Sequence, residues 1–279
     1  VIGQIVGAVV RALFVILLIA TPALLLPGMS QDTTQIVTLV ALFAAAFTMF
    51  EYASSYPGLI EFRYAPPFNR LRFVALFATV FLLTVVFRGA QEPTALTHFV
   101  TALGRLVGEV IDFPLSPWRL LLGSVEGSLN PTEIETVRAA AGISYVISLM
   151  MIVVFVLVMR ATDWPGSAGP FNVWVNLPLF DPTAGGDVIA RLERDAKINL
   201  SLGLLLPFIV PGLARFGTGM FDPDRFLSPQ PLIWMFALWS FLPASLFMRG
   251  IALKRVARMI ASQRRAQRRH GQDASLQPV

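Results

Sequence analysis

The stretch AAAGISYVISLMMIVVFVLVM, residues 139–159, carries no charge over 21 positions and is closed by Arg138 on one side and Arg160 on the other. A helix of that length covers about 31 Å at 1.5 Å per residue, against about 30 Å of hydrocarbon in a bilayer. A water-soluble helix keeps a polar face, and this run has none. It reads as a membrane-spanning helix. Composition agrees, since the 279-residue chain is 55% apolar, with 22 Phe and 5 Trp, and only 14% charged. Ordinary soluble domains are about 25% charged.

Applied to the whole chain, the same measure finds six charge-bounded apolar runs. The first two lie between Arg11 and Asp32 and between Asp32 and Glu51. A third, Phe73 to Phe87, is short, but Arg72 and Arg88 can extend their stems toward the headgroups. Residues 139–159 form the fourth. Ile198 to Ala214 and Phe226 to Met248 complete the set, each closed by a cation. Helices satisfy their own backbone in lipid, so the expected fold is all-α. It is a polytopic integral membrane protein with spans at about 9–28, 34–52, 71–88, 137–160, 198–216 and 229–249, followed by a basic tail at 251–279. An arginine before an apolar core also suits a secretory signal, but the prolines in ATPALLLPG spoil a small-residue cleavage site.

Orientation follows from the cations. With the N-terminus cytoplasmic, 16 of the 22 Lys and Arg residues fall on the inner side, as the positive-inside rule requires. Both termini are therefore expected in the cytoplasm of a bacterial inner membrane. The absence of cysteine excludes disulfides, thiol catalysis and thiolate clusters.

Three regions lie outside the spans. On the outer side, residues 89–137 read as an interfacial shelf. Leu96, Phe99, Val100, Leu103, Val107, Val110 and Ile111 share one helical face, and Ser116 with Pro117 starts a second short helix. Asn130, Pro131 and Glu133 give a start signal for the fourth span, one or two turns outside the bilayer. In the inner loop 161–197, Trp164, Phe171, Trp174 and Phe180 suit an interface belt. Arg191 with Asp195, and Glu193 with Lys197, are spaced for pairs along a short helix. In the tail, Leu253, Val256 and Ile260 make a narrow apolar stripe among Lys254, Arg255, Arg258, Arg264, Arg265, Arg268 and Arg269. That pattern suits a helix on an anionic inner leaflet. Nucleic acid is not an expected partner, because no binding signature accompanies the charge.

Chemical motifs are sparse. The two histidines, His98 and His270, lie outside the spans, and no HExxH, GxSxG or Walker A pattern occurs. No catalytic residue, metal ligand or cofactor is nominated. The span cores hold no acids, which weakens an ion-coupled transporter. Pro207, Pro211 and Gly212 should kink the fifth span, either for packing or for a substrate passage. The first inner loop, FEYASSYPGLIEFRYAPPFNRLRF at 50–73, is dense in Tyr, Phe and Arg. Glu51, Tyr52, Tyr56, Glu61, Arg63 and Tyr64 are candidates there for docking another integral membrane protein, because such residues dominate interface centres. An aromatic and arginine anchor is the plainer reading, and a chemical role for Glu51 or Glu61 the least supported. The expected function is a non-catalytic accessory, scaffold or assembly subunit of a larger membrane complex. The alternatives are a small-molecule or lipid transporter and, third, a lipid-modifying enzyme.

Overall fold

The computed structural model describes residues 2–56, 58–125, 129–166, 171–181, 183–218 and 228–275; the side chains of 121, 124, 125, 212–218 and 270–275 are not described. The described residues contain helices and no strands. In chain order the helices are α1 (Ile2–Leu25), α2 (Gln31–Ala53), α3 (Phe68–Gly89), α4 (Ala95–Val110), α5 (Pro117–Val125), α6 (Pro131–Ala161), α7 (Val173–Asn176), α8 (Val188–Thr218) and α9 (Pro229–Ser275). Five of them, α1, α2, α3, α6 and α9, are long and apolar enough to cross a membrane. The sixth expected span lies within α8, whose described apolar part, residues 198–211, is shorter than the others.

The centre is built from α3, α6 and α9. At one end, here the capped end, Phe62, Phe68, Phe155, Trp164, Leu177, Leu192, Met248 and Val256 pack into one cluster. At the other, the shelf end, Leu18, Val80, Leu83, Trp118, Val137, Phe236 and Trp239 form a second. The α1–α2 hairpin docks on α3 through α1, while α2 packs on α1. Gly28, with φ +72°, makes the turn between them. At the far end of the hairpin the Gln4 amide donates to the carbonyls of Tyr52, Ala53 and Ser54 at 3.3, 3.3 and 3.4 Å.

The helix starts follow the sequence closely. Asn130 and Glu133 form a reciprocal capping box on α6, and the Ser116 hydroxyl accepts from the Arg119 N–H at 3.2 Å. Thr94 and Thr97 cap α4 in the same way, a signal the sequence reading passed over. At 31 residues, α6 is about 46 Å long, against about 30 Å of hydrocarbon in a bilayer.

On α4, Thr97, Val100, Gly104 and Gly108 pack against protein, while Leu96, Phe99, Leu103 and Val110 are exposed. Two features differ from expectation. Trp164 is a core residue, enclosed by Phe62, Phe68 and Phe155, with its indole N–H donating to the Ala65 carbonyl at 3.1 Å. Finally, α9 runs unbroken from the apolar segment through the basic tail. Leu253 and Val256 of the tail stripe are buried against protein, not free to face a leaflet. Nothing in residues 251–269 stops a helix, since Arg, Lys, Ala, Gln and Met are all good helix formers and no Gly or Pro intervenes.

Candidate functional site

Most of the polar residues singled out from the sequence meet at the capped end. There α2 finishes at Ala53 and leaves its last carbonyls without intrahelical donors. Arg63 supplies them. Its Nη1 donates to the carbonyls of Glu51 at 2.5 Å and Ser54 at 2.8 Å, and its Nη2 to Ser55 at 3.4 Å and the Tyr64 hydroxyl at 2.6 Å. The Glu51 carboxylate, only 3% exposed, turns the other way. It accepts the N–H groups of Gly58, Leu59 and Ile60, all between 3.0 and 3.1 Å. Successive backbone N–H groups converging on one anion form a nest. A side chain at Gly58 would bring a Cβ to 3.0 Å from the Glu51 Oε1, a close contact that the carboxylate would have to shift to relieve.

Glu61 leaves the loop in a third direction. Its carboxylate is held in a two-point pair by Arg249 of α9, Nε to Oε2 at 2.6 Å and Nη2 to Oε1 at 2.7 Å, with Glu61 only 8% exposed. Glu61 and Arg63 therefore do not act on one side, as alternation in an extended segment suggests. The backbone turns between them at Phe62, which is buried and has φ +54°. Asn176 of α7 locks that turn, its carbonyl accepting from Phe62 N–H at 2.6 Å and its Oδ1 from Tyr64 N–H at 3.0 Å. The Asn69 amide closes the loop on the Glu61 carbonyl at 2.7 Å. Sequence reasoning missed Asn176 and Arg249, because partners more than a hundred residues away leave no local signal, and Asn69, because its acceptor is a backbone carbonyl that no residue type marks.

Two arginines border this network. Arg11 of α1 bends back toward its own N-terminus, donating to the Gly7 carbonyl at 2.6 Å and lying 4.6 Å from the Tyr52 ring centre. Arg72 of α3 lies 5.5 Å from the Phe68 ring and 5.7 Å from the Phe241 ring, and its Nε donates to the Ser245 hydroxyl at 3.3 Å. Of the docking candidates, Glu51, Glu61 and Arg63 are engaged internally, Tyr52 is half-buried, and Tyr56 and Tyr64 are exposed. Pro57, between them, lies outside the described residues.

The tail cations divide similarly. Arg255 donates to the Trp164 carbonyl at 3.0 Å, and Arg264 pairs with Asp187 at 2.7 Å. That pairing, with the N–H groups at the start of α8, holds the Asp187 carboxyl below the usual aspartate range. Lys254, Arg258, Arg265, Arg268 and Arg269 are exposed. In the inner loop, Arg191 turns to the Ala184 carbonyl and the Phe180 ring instead of Asp195. The proline pair has a partner as well. Pro211 has no N–H for the carbonyl four residues back, and that Pro207 carbonyl accepts from the Trp239 indole at 3.1 Å. Gly212 continues α8; its side-chain surroundings lie outside the described residues.

At the shelf end, His98, Thr101, Arg105 and Glu109 line an open crevice along α4. Among the described residues no three of His, Cys, Asp and Glu come together as a metal site. Fold and composition define a helical membrane protein. Comparison with family models, curated proteins and solved structures finds no match to this chain.

Proposed function

We propose that the chain is a non-catalytic accessory, scaffold or assembly subunit of a larger complex in a bacterial inner membrane. The carrying observation is an aromatic surface. On α2, Ile36, Val40, Phe43, Phe47 and Phe50 recur at helical spacing and are exposed, Phe43 at 76% and Phe50 at 69%. The chain then passes into Tyr56, 77% exposed, with Leu59 and Tyr64 also exposed. In the span such a face can meet lipid, and it is its continuation into the exposed Tyr56, Leu59 and Tyr64 outside the span that favours a protein interface. The two acids of the loop support a structural role, because Glu51 is bound by three backbone N–H groups and Glu61 by Arg249.

Tyr56→Ala with Tyr64→Ala is expected to abolish co-purification of partner proteins in mild detergent while the variant still inserts and accumulates. Truncation at an interface centre typically costs about 2 kcal/mol or more, whereas lipid anchors share their load. Arg63→Ala is unsuitable for this test, because Arg63 caps α2. Wild-type protein that purifies alone from its native membrane sinks the reading.

The proposal includes six crossings with both termini cytoplasmic. Its support is the antiparallel seating of α8 on α9. Gly250 meets Ala196 and Leu200, Gly203 meets Pro243 and Phe247, and Pro207 meets Trp239. Over that stretch α8 lies beside α9, which supports α8 as a sixth crossing. Because the chain has no cysteine, single cysteines report sidedness cleanly. Thiols at Thr183 and Gln263 are expected to label from the cytoplasmic face, and one at Gln91 from the other. A Gln263 thiol labelled together with the Gln91 thiol means five crossings.

A further inference from the structure

Charge at the capped end does not balance. Arg11, Arg63, Arg72 and Arg249 gather there with Glu51, Glu61 and, near Arg249, Asp195 as the acids. All three acids are spoken for, Glu61 by Arg249, Asp195 by Arg194, and Glu51 by the nest beside Arg63. Arg72 and Arg11 remain without a carboxylate.

Arg72 is the more exacting of the two. A guanidinium carries five N–H donors and no acceptor. The Arg72 Nε–H goes to Ser245, and the four N–H donors of the two Nη groups have no acceptor among the described residues. The group is flanked by the Phe68 and Phe241 rings, within a turn of the start of α3. On the neighbouring α1, Phe14 stands 5.9 Å from Phe73, and Arg11, three residues earlier, lies 4.6 Å from the Tyr52 ring, which brings the second arginine and the phenol to the α3 flank that carries Arg72. A half-buried planar fork with free donors, a second arginine and a phenol hydroxyl together suit a tetrahedral oxyanion. An arginine at the end of a membrane-spanning helix reaches the headgroup layer, where a lipid phosphate is the natural complement.

The surface running from this site is apolar. Phe73, next to Arg72, begins a ladder with Phe77 at 6.1 Å and Phe81 at 6.4 Å, their rings nearly parallel. Phe14 of α1 closes on Phe73 at 5.9 Å. Phe73 and Phe77 are half-buried and Phe81 is exposed, so the ladder offers a track for a hydrocarbon chain below the arginines.

We propose that Arg72, Arg11 and Tyr52 bind the phosphate of an anionic lipid headgroup, with an acyl chain along Phe73, Phe77 and Phe81. This site is separate from the exposed tail cations, and it does not rest on the subunit reading.

The test uses the full chain in mild detergent, with native mass spectrometry counting retained lipid. The probes are phosphatidylglycerol, phosphatidylcholine and inorganic phosphate. Wild-type protein is expected to retain phosphatidylglycerol over phosphatidylcholine. Arg72→Gln and Arg11→Gln are each expected to lower that retention about ten-fold, the loss of one charge-assisted contact. Arg72→Lys keeps the charge without the fork and should fall between. Arg11 is exposed, so Arg11→Gln decides alone if Arg72→Gln does not accumulate. Equal retention of the two lipids, or unchanged retention in Arg11→Gln, overturns the proposal. Displacement of phosphatidylglycerol by millimolar inorganic phosphate also overturns it, because the site then belongs to a free anion.

Discussion

Replacing Glu61 by alanine is expected to destabilise the protein by about 3–5 kcal/mol, because it leaves a partly buried arginine without its counterion. Arg249 loses both charge-assisted hydrogen bonds at once. Arg72, already short of acceptors, loses the nearby negative charge as well. The Arg249 side chain is 30% exposed, which places the expected cost toward the lower end of that range. Thermal unfolding in detergent is the measurement, with an apparent midpoint roughly 6 °C or more below wild type. Arg249→Met alone should lose a comparable amount, since it strands the buried carboxylate. The double variant Glu61→Leu with Arg249→Met should recover most of the loss, because an apolar pair of similar volume avoids desolvating two charges. If the double variant is as unstable as the sum of the singles, the pair does not couple, and the loop is held mainly by Asn176 and Asn69.

The parts of this structure legible in the sequence are those decided by local chemistry. Apolar runs between charges mark α1, α2, α3 and α6, since length and hydropathy alone fix what can cross a bilayer. Ser116 and Asn130 mark helix starts because a cap is made within three residues. The loop at 50–73 was recognisable as unusual, but its wiring was not. Arg249 lies 188 residues from Glu61, and nothing near either residue names the other. Glu51 is held by backbone N–H groups, which every sequence supplies and none advertises. A dense set of Tyr, Arg and Glu looks alike whether it faces a partner or folds inward.

Which face of α4 packs on protein is not legible in the sequence for a different reason. In water, large apolar side chains mark the buried face of a helix. Beside lipid the rule reverses, because lipid tails accept large side chains while small residues let backbones approach. Leu96, Phe99, Leu103 and Val110 therefore point outward, and Gly104 and Gly108 point in. Spaced four apart, these glycines were the usable signal, and they answer Gly142 on α6.

That crossing carries the second large expected effect. A Cβ built on Gly142 lands against the Gly104 carbonyl and 2.7 Å from the Gly108 nitrogen, which are backbone atoms that cannot turn aside. From the other side, a Cβ on Gly108 meets the Arg138 carbonyl at 2.7 Å. Any side chain therefore separates the two helices. The packing of Val100 on Ile143 opens with it, and the Arg105–Glu135 pair at 3.5 Å and the Arg138–Asp112 pair at 3.7 Å are drawn apart. Gly142→Leu is expected to cost about 3 kcal/mol, at the high end for overpacking, and Gly142→Ala less, since one methyl asks for a smaller separation. Gly185→Ala is the control, because nothing lies within 4 Å of that position. Unfolding in detergent measures the loss, and protease cleavage between α4 and α6 measures its location. Released from α6, α4 stays apolar along Leu96, Phe99, Leu103, Leu106 and Val110, so it is expected to remain in the membrane while the segment after it becomes cleavable. Wild-type stability and cleavage in Gly142→Leu would mean that α4 is held by lipid and not by the glycine crossing.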